Sequence, residues 1–318
     1  MQCMEVWGGS QITTRAVEFG GLDAWVYSKP YGNAQHGGDV YYASSCATGR
    51  ISRLLLADVS GHGDSVAATA ADLRTLMRRF VNRLDQTEFV RLLNQQFVEL
   101  SQEGTFATAI VATFFAPSGR LTVCNAGHPR PLLYRAAQRQ WNFLGSDFLG
   151  DGPDVKSTPS NIPLGLLEMS EYEQVDVELK SGDCVLSYTD ALMESNDAGG
   201  HMLGEGGVLR IARLLGDVVE PQQLIESLLR EIAERSPEKL SEDDVTVLVV
   251  RANGRQPRYS LGEKLGALVR FSRSLIGAVN PRAERPPFPD ANLANIGGAI
   301  IPALGRRWRA GGAVRRSL

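Results

Sequence analysis

The sequence is short of cysteine and histidine. Its four cysteines, Cys3, Cys46, Cys124 and Cys184, are far apart and form no CxxC pair, which excludes a zinc ribbon or a CxxC redox motif and leaves reduced thiols as the simplest account. The histidines fall in loops and turns. No run of about 18 apolar residues is present to span a bilayer, and the opening MQCMEVWGGS lacks the basic and then apolar pattern of a secretion signal. A soluble, cytoplasmic protein is therefore expected. A serine-nucleophile elbow is not written around Ser60 and His62 either, because G-x-S-x-G needs glycine where Asp58 stands.

What is present suffices for a sizeable core. Hydrophobic residues make up 43% of the chain, enough for one large domain or one domain with an appendage. The net charge of −3 hides an asymmetry. From Gly254 on, 12 Arg and Lys face 3 acids, leaving about +9 on the tail and about −12 on residues 1–253. The acidic main body is not expected to bind nucleic acid.

One stretch organises the rest, residues 54–63, LLLADVSGHG. An apolar run of strand character stops at Asp58, and Ser60-Gly61-His62-Gly63 turns the chain into a helical pattern. Read alone, Asp58 is a turn residue capping its own backbone; partners elsewhere are needed to make it a ligand. Upstream, residues 22–27 read as a strand, a turn-rich loop delivers Asp39, and 40–44 resume an extended pattern before a hairpin turn at Thr48-Gly49-Arg50. Antiparallel pairing with 51–57 brings Asp39 near Asp58.

Apolar residues at helical spacing predict helices over about 66–80 and 87–101. Residues 106–115, 121–125 and 131–135 read as a meander of antiparallel strands, and 136–159 as irregular. An apolar strand over 184–188 stops at Thr189-Asp190. Two further helical patterns, near 207–215 and 221–234, precede Asp243-Asp244 and a last strand over 245–250.

Asp39, Asp58, Asp190 and Asp243 thus all stand at strand boundaries. In a sandwich of antiparallel sheets, loops from distant parts of the chain gather at one rim, and these acids are expected to converge there. Carboxylates so gathered repel unless protonated or bridged by cations, and oxygen-only ligation suits Mg²⁺ or Mn²⁺ better than zinc.

Six motifs occur in order: GGDVYY from Gly37, LADVSGHG from Leu56, FATAIVATF from Phe106, CNAGHPRPLL from Cys124, LKSGDCVLSYTDALMES from Leu179 and EDDVTVLVVR from Glu242. Through them the chain resembles the metal-dependent PPM-type serine/threonine phosphatases, in their bacterial SpoIIE-like branch, over about residues 20–252. The resemblance implies an α+β fold, a four-layer α-β-β-α sandwich with two central antiparallel sheets and two divalent cations, Mn²⁺ or Mg²⁺, at one rim. It implies that Asp58 bridges the ions, that the Val59 carbonyl is a further ligand, that Asp39 lies beside the second ion and that Asp190 and Asp243 hold the first. Asp244 is a supporting acid. The implied reaction is hydrolysis of phosphoserine or phosphothreonine in a protein, for instance a small regulatory protein of a bacterial signalling circuit, by a water activated between the ions. A catalytically inactive PPM-fold module that binds and scaffolds phosphoproteins is the alternative.

One residue departs from the family pattern. The family's glycine after YTD is Ala191 here, which disfavours positive φ beside the site. The arginine that animal-type relatives place near the phosphate has no convincing counterpart, as is general in the SpoIIE-like branch, and the proton donor to the leaving group is not named by the motifs.

The expected division is a phosphatase domain over 1–253 and a basic tail over 254–318. Few residues precede position 20, so control is expected from a partner, from metal occupancy or from the tail. In the tail Leu261, Leu265, Leu268, Val269, Ile276 and Val279 share a helical face suited to a partner groove, to an anionic membrane surface or to packing on the acidic body. A Pro-rich linker over 281–289 then precedes an apolar segment, 293–304, too short to span a bilayer.

Overall fold

A computed structural model describes residues 3–255 apart from 33, 47, 84, 102–103, 146–160, 198, 217–219 and 237–238. The expectations for the tail, its amphipathic face, linker and apolar segment, lie outside the described residues.

Period-two alternation builds the core. In β5 (Ile51–Val59), Leu55, Ala57 and Val59 point to one side, Leu54 and Leu56 to the other. In β12 (Val245–Ala252), Val245, Val247 and Val249 likewise face away from Leu248 and Val250. Strands apolar on both faces have to be covered on both. The first sheet accordingly has the order β1 (Cys3–Gln11), β4 (His36–Cys46), β5, β6 (Ala107–Phe115), β7 (Arg120–Ala126) and β10 (Gln174–Glu178). The second has β2 (Thr13–Phe19), β3 (Leu22–Lys29), β12, β11 (Cys184–Tyr188), β8 (Leu132–Arg135) and β9 (Gln140–Phe143). Every pairing is antiparallel.

Three buried layers separate four structural ones. Leu54, Leu56, Leu248 and Val250 fill the space between the sheets. The helices α1 (Ala67–Phe80) and α2 (Gln86–Leu100) cover the first sheet through Leu73, Met77, Phe89 and Leu93. The second sheet is covered by α4 (Gly204–Leu215) and α5 (Pro221–Arg235) through Val208, Ile211, Leu228 and Ile232. This is the α-β-β-α sandwich expected. Among the described residues no helix is long and apolar enough to cross a membrane.

Three local expectations are corrected. Residues before 20, for which no elements are expected, form β1 and β2, the outer strand of one sheet and of the other. An edge strand is buried less evenly than a central one, so its alternation is weak in sequence. The meander is not one sheet: β7 belongs to the first and β8 to the second, with Ala126-Gly127-His128-Pro129 carrying the chain between them. Gly127, at φ +68°, makes that crossing where a Cβ would stand 2.5 Å from the Pro163 ring. Part of the stretch expected to be irregular is β9, paired with β8, while 146–160 lie outside the described residues.

Candidate functional site

Side-chain rows on the inner faces of the sheets run out of apolar residues at one rim. On β4 the row reads Ala43, Tyr41, Asp39; on β5, Leu54, Leu56, Asp58; on β6, Ala112, Ile110, Thr108. From the second sheet come Val185, Ser187, Thr189 and, on β12 and before it, Val250, Leu248, Thr246, Asp244. Asp39 lies directly opposite Asp58, which on its other side faces Thr108. Both aspartates are therefore inside ladders and not at strand boundaries, since β4 begins at His36 and β5 runs on to Val59. That register overturns the reading of Asp58 as a turn residue.

Two side chains tie the sheets together here. Thr189 Oγ1 donates to Asp39 Oδ2 at 2.9 Å and accepts from the Thr246 N–H at 2.9 Å. Asp244 accepts three backbone N–H groups: Tyr31 on Oδ1 at 2.6 Å, then Gly38 at 2.7 Å and Gly63 at 3.2 Å on Oδ2. Glycine is required where the chains approach, because a Cβ on Gly38 would stand 2.8 Å from the Val59 carbonyl oxygen and one on Gly37 2.4 Å from Asp244 Oδ1.

The acids sense one another. Burial raises the pKa of Asp39 well above the usual carboxylate value, and the Asp244 and Asp190 carboxylates add to it. Asp58 is raised by burial and then by Asp39, Asp190, Asp243 and Asp244. Asp190 is pushed up to about 6 by burial, Asp243 and Glu194. Asp243 is also raised by burial, although its Oδ1 accepts the Asp244 N–H at 2.7 Å. The arrangement is thus two pairs, Asp39 with Asp58 on the first sheet and Asp190 with Asp243 just outside β11 and β12 of the second, with Asp190 acting on both Asp39 and Asp58.

Asp39 Oδ1 is buried and, among the described residues, has no hydrogen-bond partner. A free buried carboxylate oxygen in an oxygen-only set of mutually repelling acids fits a hard divalent cation. Among the described residues no three His, Cys, Asp or Glu side chains are drawn together tightly enough to hold an ion by themselves.

Thr189 escapes a motif reading, yet it was legible from parity, two residues beyond Ser187 on the inner row. His62, a turn residue in sequence, packs at a tilt against Tyr31 with ring centroids 4.3 Å apart, and it lies near enough to Asp243 to favour that carboxyl's ionised form. His128 is buried with Nδ1 2.8 Å from Thr108 Oγ1, and burial pushes its pKa down to about 3, so it stays neutral where the chain crosses between sheets.

Asp190 has φ −63° and ψ −26°, and Ala191 opens the short helix α3 (Ala191–Glu194) with its methyl buried. Nothing there calls for positive φ, so alanine fits the position. Ala191→Gly is expected to cost about 1–2 kcal/mol in a denaturant titration, with divalent-cation affinity by calorimetry unchanged.

A two-sheet sandwich between helical layers is the architecture of the PPM, or PP2C-type, phosphatases. Residues 49–253 match the family model described as Stage II sporulation protein E (SpoIIE), and the chain belongs to that family. A Stage II sporulation protein E of Priestia megaterium is 21% identical over 252 residues, covering 77% of this chain; the chain spans 39% of that relative's length. The solved RsbU and RsbW domains of a Mycobacterium tuberculosis protein superpose with a TM-score of 0.61 at 22% identity, covering 84% of this chain and 72% of that one. The PP2C phosphatase domain of Bacillus subtilis SpoIIE, solved with a fragment of its regulatory domain, gives 0.56 at 18% identity, covering 76% and 71%.

Proposed function

We propose that this chain is a Mn²⁺- or Mg²⁺-dependent phosphatase that hydrolyses phosphoserine or phosphothreonine in a protein substrate. The observation that carries the reading is the register of Asp39 against Asp58 on the inner face, with Asp190 and Asp243 close enough on the opposite sheet to raise the pKa of Asp58. Asp39, Asp58 and the Val59 carbonyl from the first sheet, with Asp190 and Asp243 from the second, would hold two cations. Such ions, when bound, supply Lewis acidity and a water of lowered pKa for in-line attack on phosphorus.

The chain's own residues fix that geometry. Thr189 holds Asp39 Oδ2, so that the carboxylate keeps its other oxygen free. Asp244 clamps the loops at Tyr31, Gly38 and Gly63. No side chain is required as nucleophile, and the departing alkoxide needs a proton. His62, beside Asp243 and braced by Tyr31, is the group we assign to deliver it.

The direct test is phosphate release from a phosphoserine peptide with added Mn²⁺, abolished by chelator and restored by Mn²⁺. A folded protein that binds the phosphopeptide without turnover at any metal concentration would instead be a phosphoprotein-binding scaffold. His62→Gln is expected to lower kcat on the peptide by about a hundredfold and to spare an aryl phosphate, whose leaving group departs without a proton. Equal losses on the two substrates would remove His62 from the proton-donor role.

A further inference from the structure

Cys3 and Cys46, distant in sequence, are register partners across antiparallel β1 and β4. The Cys3 N–H is given to Asn82 Oδ1 at 2.7 Å and so not to Cys46. That marks the two as a non-hydrogen-bonded pair, the kind whose Cα atoms stand about 4.5 Å apart with side chains closest on one face. A disulfide spans Cα separations of about 4.4–6.8 Å, so closure needs little backbone movement. Both thiols are free and buried in the layer beneath α1 and α2. Cys46 Sγ accepts the Ile51 N–H at 3.2 Å and lies 3.2 Å from Thr48 Oγ1.

Arg53 belongs to the same cluster. Its side chain is 1% exposed, its guanidinium stands 4.6 Å from the Phe89 ring centroid, and one N–H goes to the Arg83 carbonyl. Among the described residues its Nε and Nη1 have no hydrogen-bond partner. A cation beside a cysteine lowers the cost of its thiolate. Burial and Cys46 hold the Cys3 thiol up at about 12, and Arg53 pulls against them. Reaction in the closed fold is therefore slow, and opening of β1 governs it. That strand has a sheet partner on one side only, and its pairing is interrupted by two register shifts.

We propose that Cys3 and Cys46 are a redox pair that closes a cross-strand disulfide, fastening β1 to β4. The oxidant is a low-molecular-weight disulfide. One cysteine thiolate attacks it and releases a thiol; the other cysteine thiolate then attacks the mixed disulfide and releases the second. Two electrons and two protons pass from the protein thiols to the oxidant, which leaves as two thiols. Because Glu5 of β1 pairs with Arg74 and Arg78 of α1, the fastened strand also steadies the helix that follows the Ser60–Gly63 turn after β5.

The full chain is incubated with oxidised glutathione, digested without reduction and examined by mass spectrometry. A peptide linking Cys3 to Cys46 is expected, with Cys124 and Cys184 still free and Tm higher by about 5 °C or more, all reversed by dithiothreitol. Cys46→Ser is expected to stop at a Cys3 glutathione adduct with no rise in Tm. Four thiols still free after warming to just below Tm with the oxidant, or single adducts without the linked peptide, would overturn the proposal.

Discussion

Asp58→Asn is expected to lose phosphate release by about a thousandfold or more while melting higher than the parent when both are free of metal. The two effects have one cause. Asp58 is buried among Asp39, Asp190 and Asp243, so on the proposed reading its negative charge would hold a cation, and without one it strains the fold. The amide keeps the shape and removes the charge.

The pH dependence follows from Asp190, whose pKa stands at about 6 against 3.8 for a free carboxyl. A carboxyl raised in the fold stabilises while protonated, below the unfolded value, and that contribution is lost as pH climbs through the folded one. At pH 7 the ionised group costs up to about 3 kcal/mol, reduced by solvent on its open side. Metal-free Asp190→Asn should therefore melt about 3–8 °C above the parent at pH 7 and alongside it near pH 4. Added Mn²⁺ should reverse the order by stabilising the parent alone. Thermal melts with and without chelator at both pH values provide the check; variants that melt below the parent at pH 7 without metal would sink the assignment of these acids to one charged cluster.

Asp244→Asn is expected to destabilise the domain by about 2–4 kcal/mol, a large effect for an isosteric change. Its two oxygens accept N–H groups from both sides, Tyr31 on Oδ1 and the Gly38–Gly63 pair on Oδ2. An asparagine amide can satisfy only one side, and whichever way it turns, its own N–H₂ faces a buried donor. Gly38 immediately precedes Asp39, so the misfit reaches the candidate site. Urea titration gives the stability change, and a variant within about 0.5 kcal/mol of the parent would mean that these bonds contribute little.

Much of the fold was legible in the sequence because the central strands are apolar on both faces and short turns separate them. The span of β11 and the helices α1 and α2 follow from periodicity nearly residue by residue. Edge strands β1 and β2 were not legible, since β2 is largely open to solvent and glycines interrupt the pattern of β1. The passage from β7 to β8 reads like any turn, and only the pairing of β8 with β11 marks it as a change of sheet.

By itself the sequence determined which side chains share a face, which acids are present and the order of the motifs that carry them. Those are consequences of covalent order and of the two-residue period of a strand. The hairpin pairing already brought Asp39 near Asp58, as the register shows; the sequence did not determine that Thr189 reaches Asp39, that Asp244 is used on three backbone amides, or that Cys3 meets Cys46. Each of those depends on register and on which sheets face one another, and packing of the whole chain settles both. For this reason the acids are legible as candidates in the sequence and become one electrostatic unit only in the folded protein.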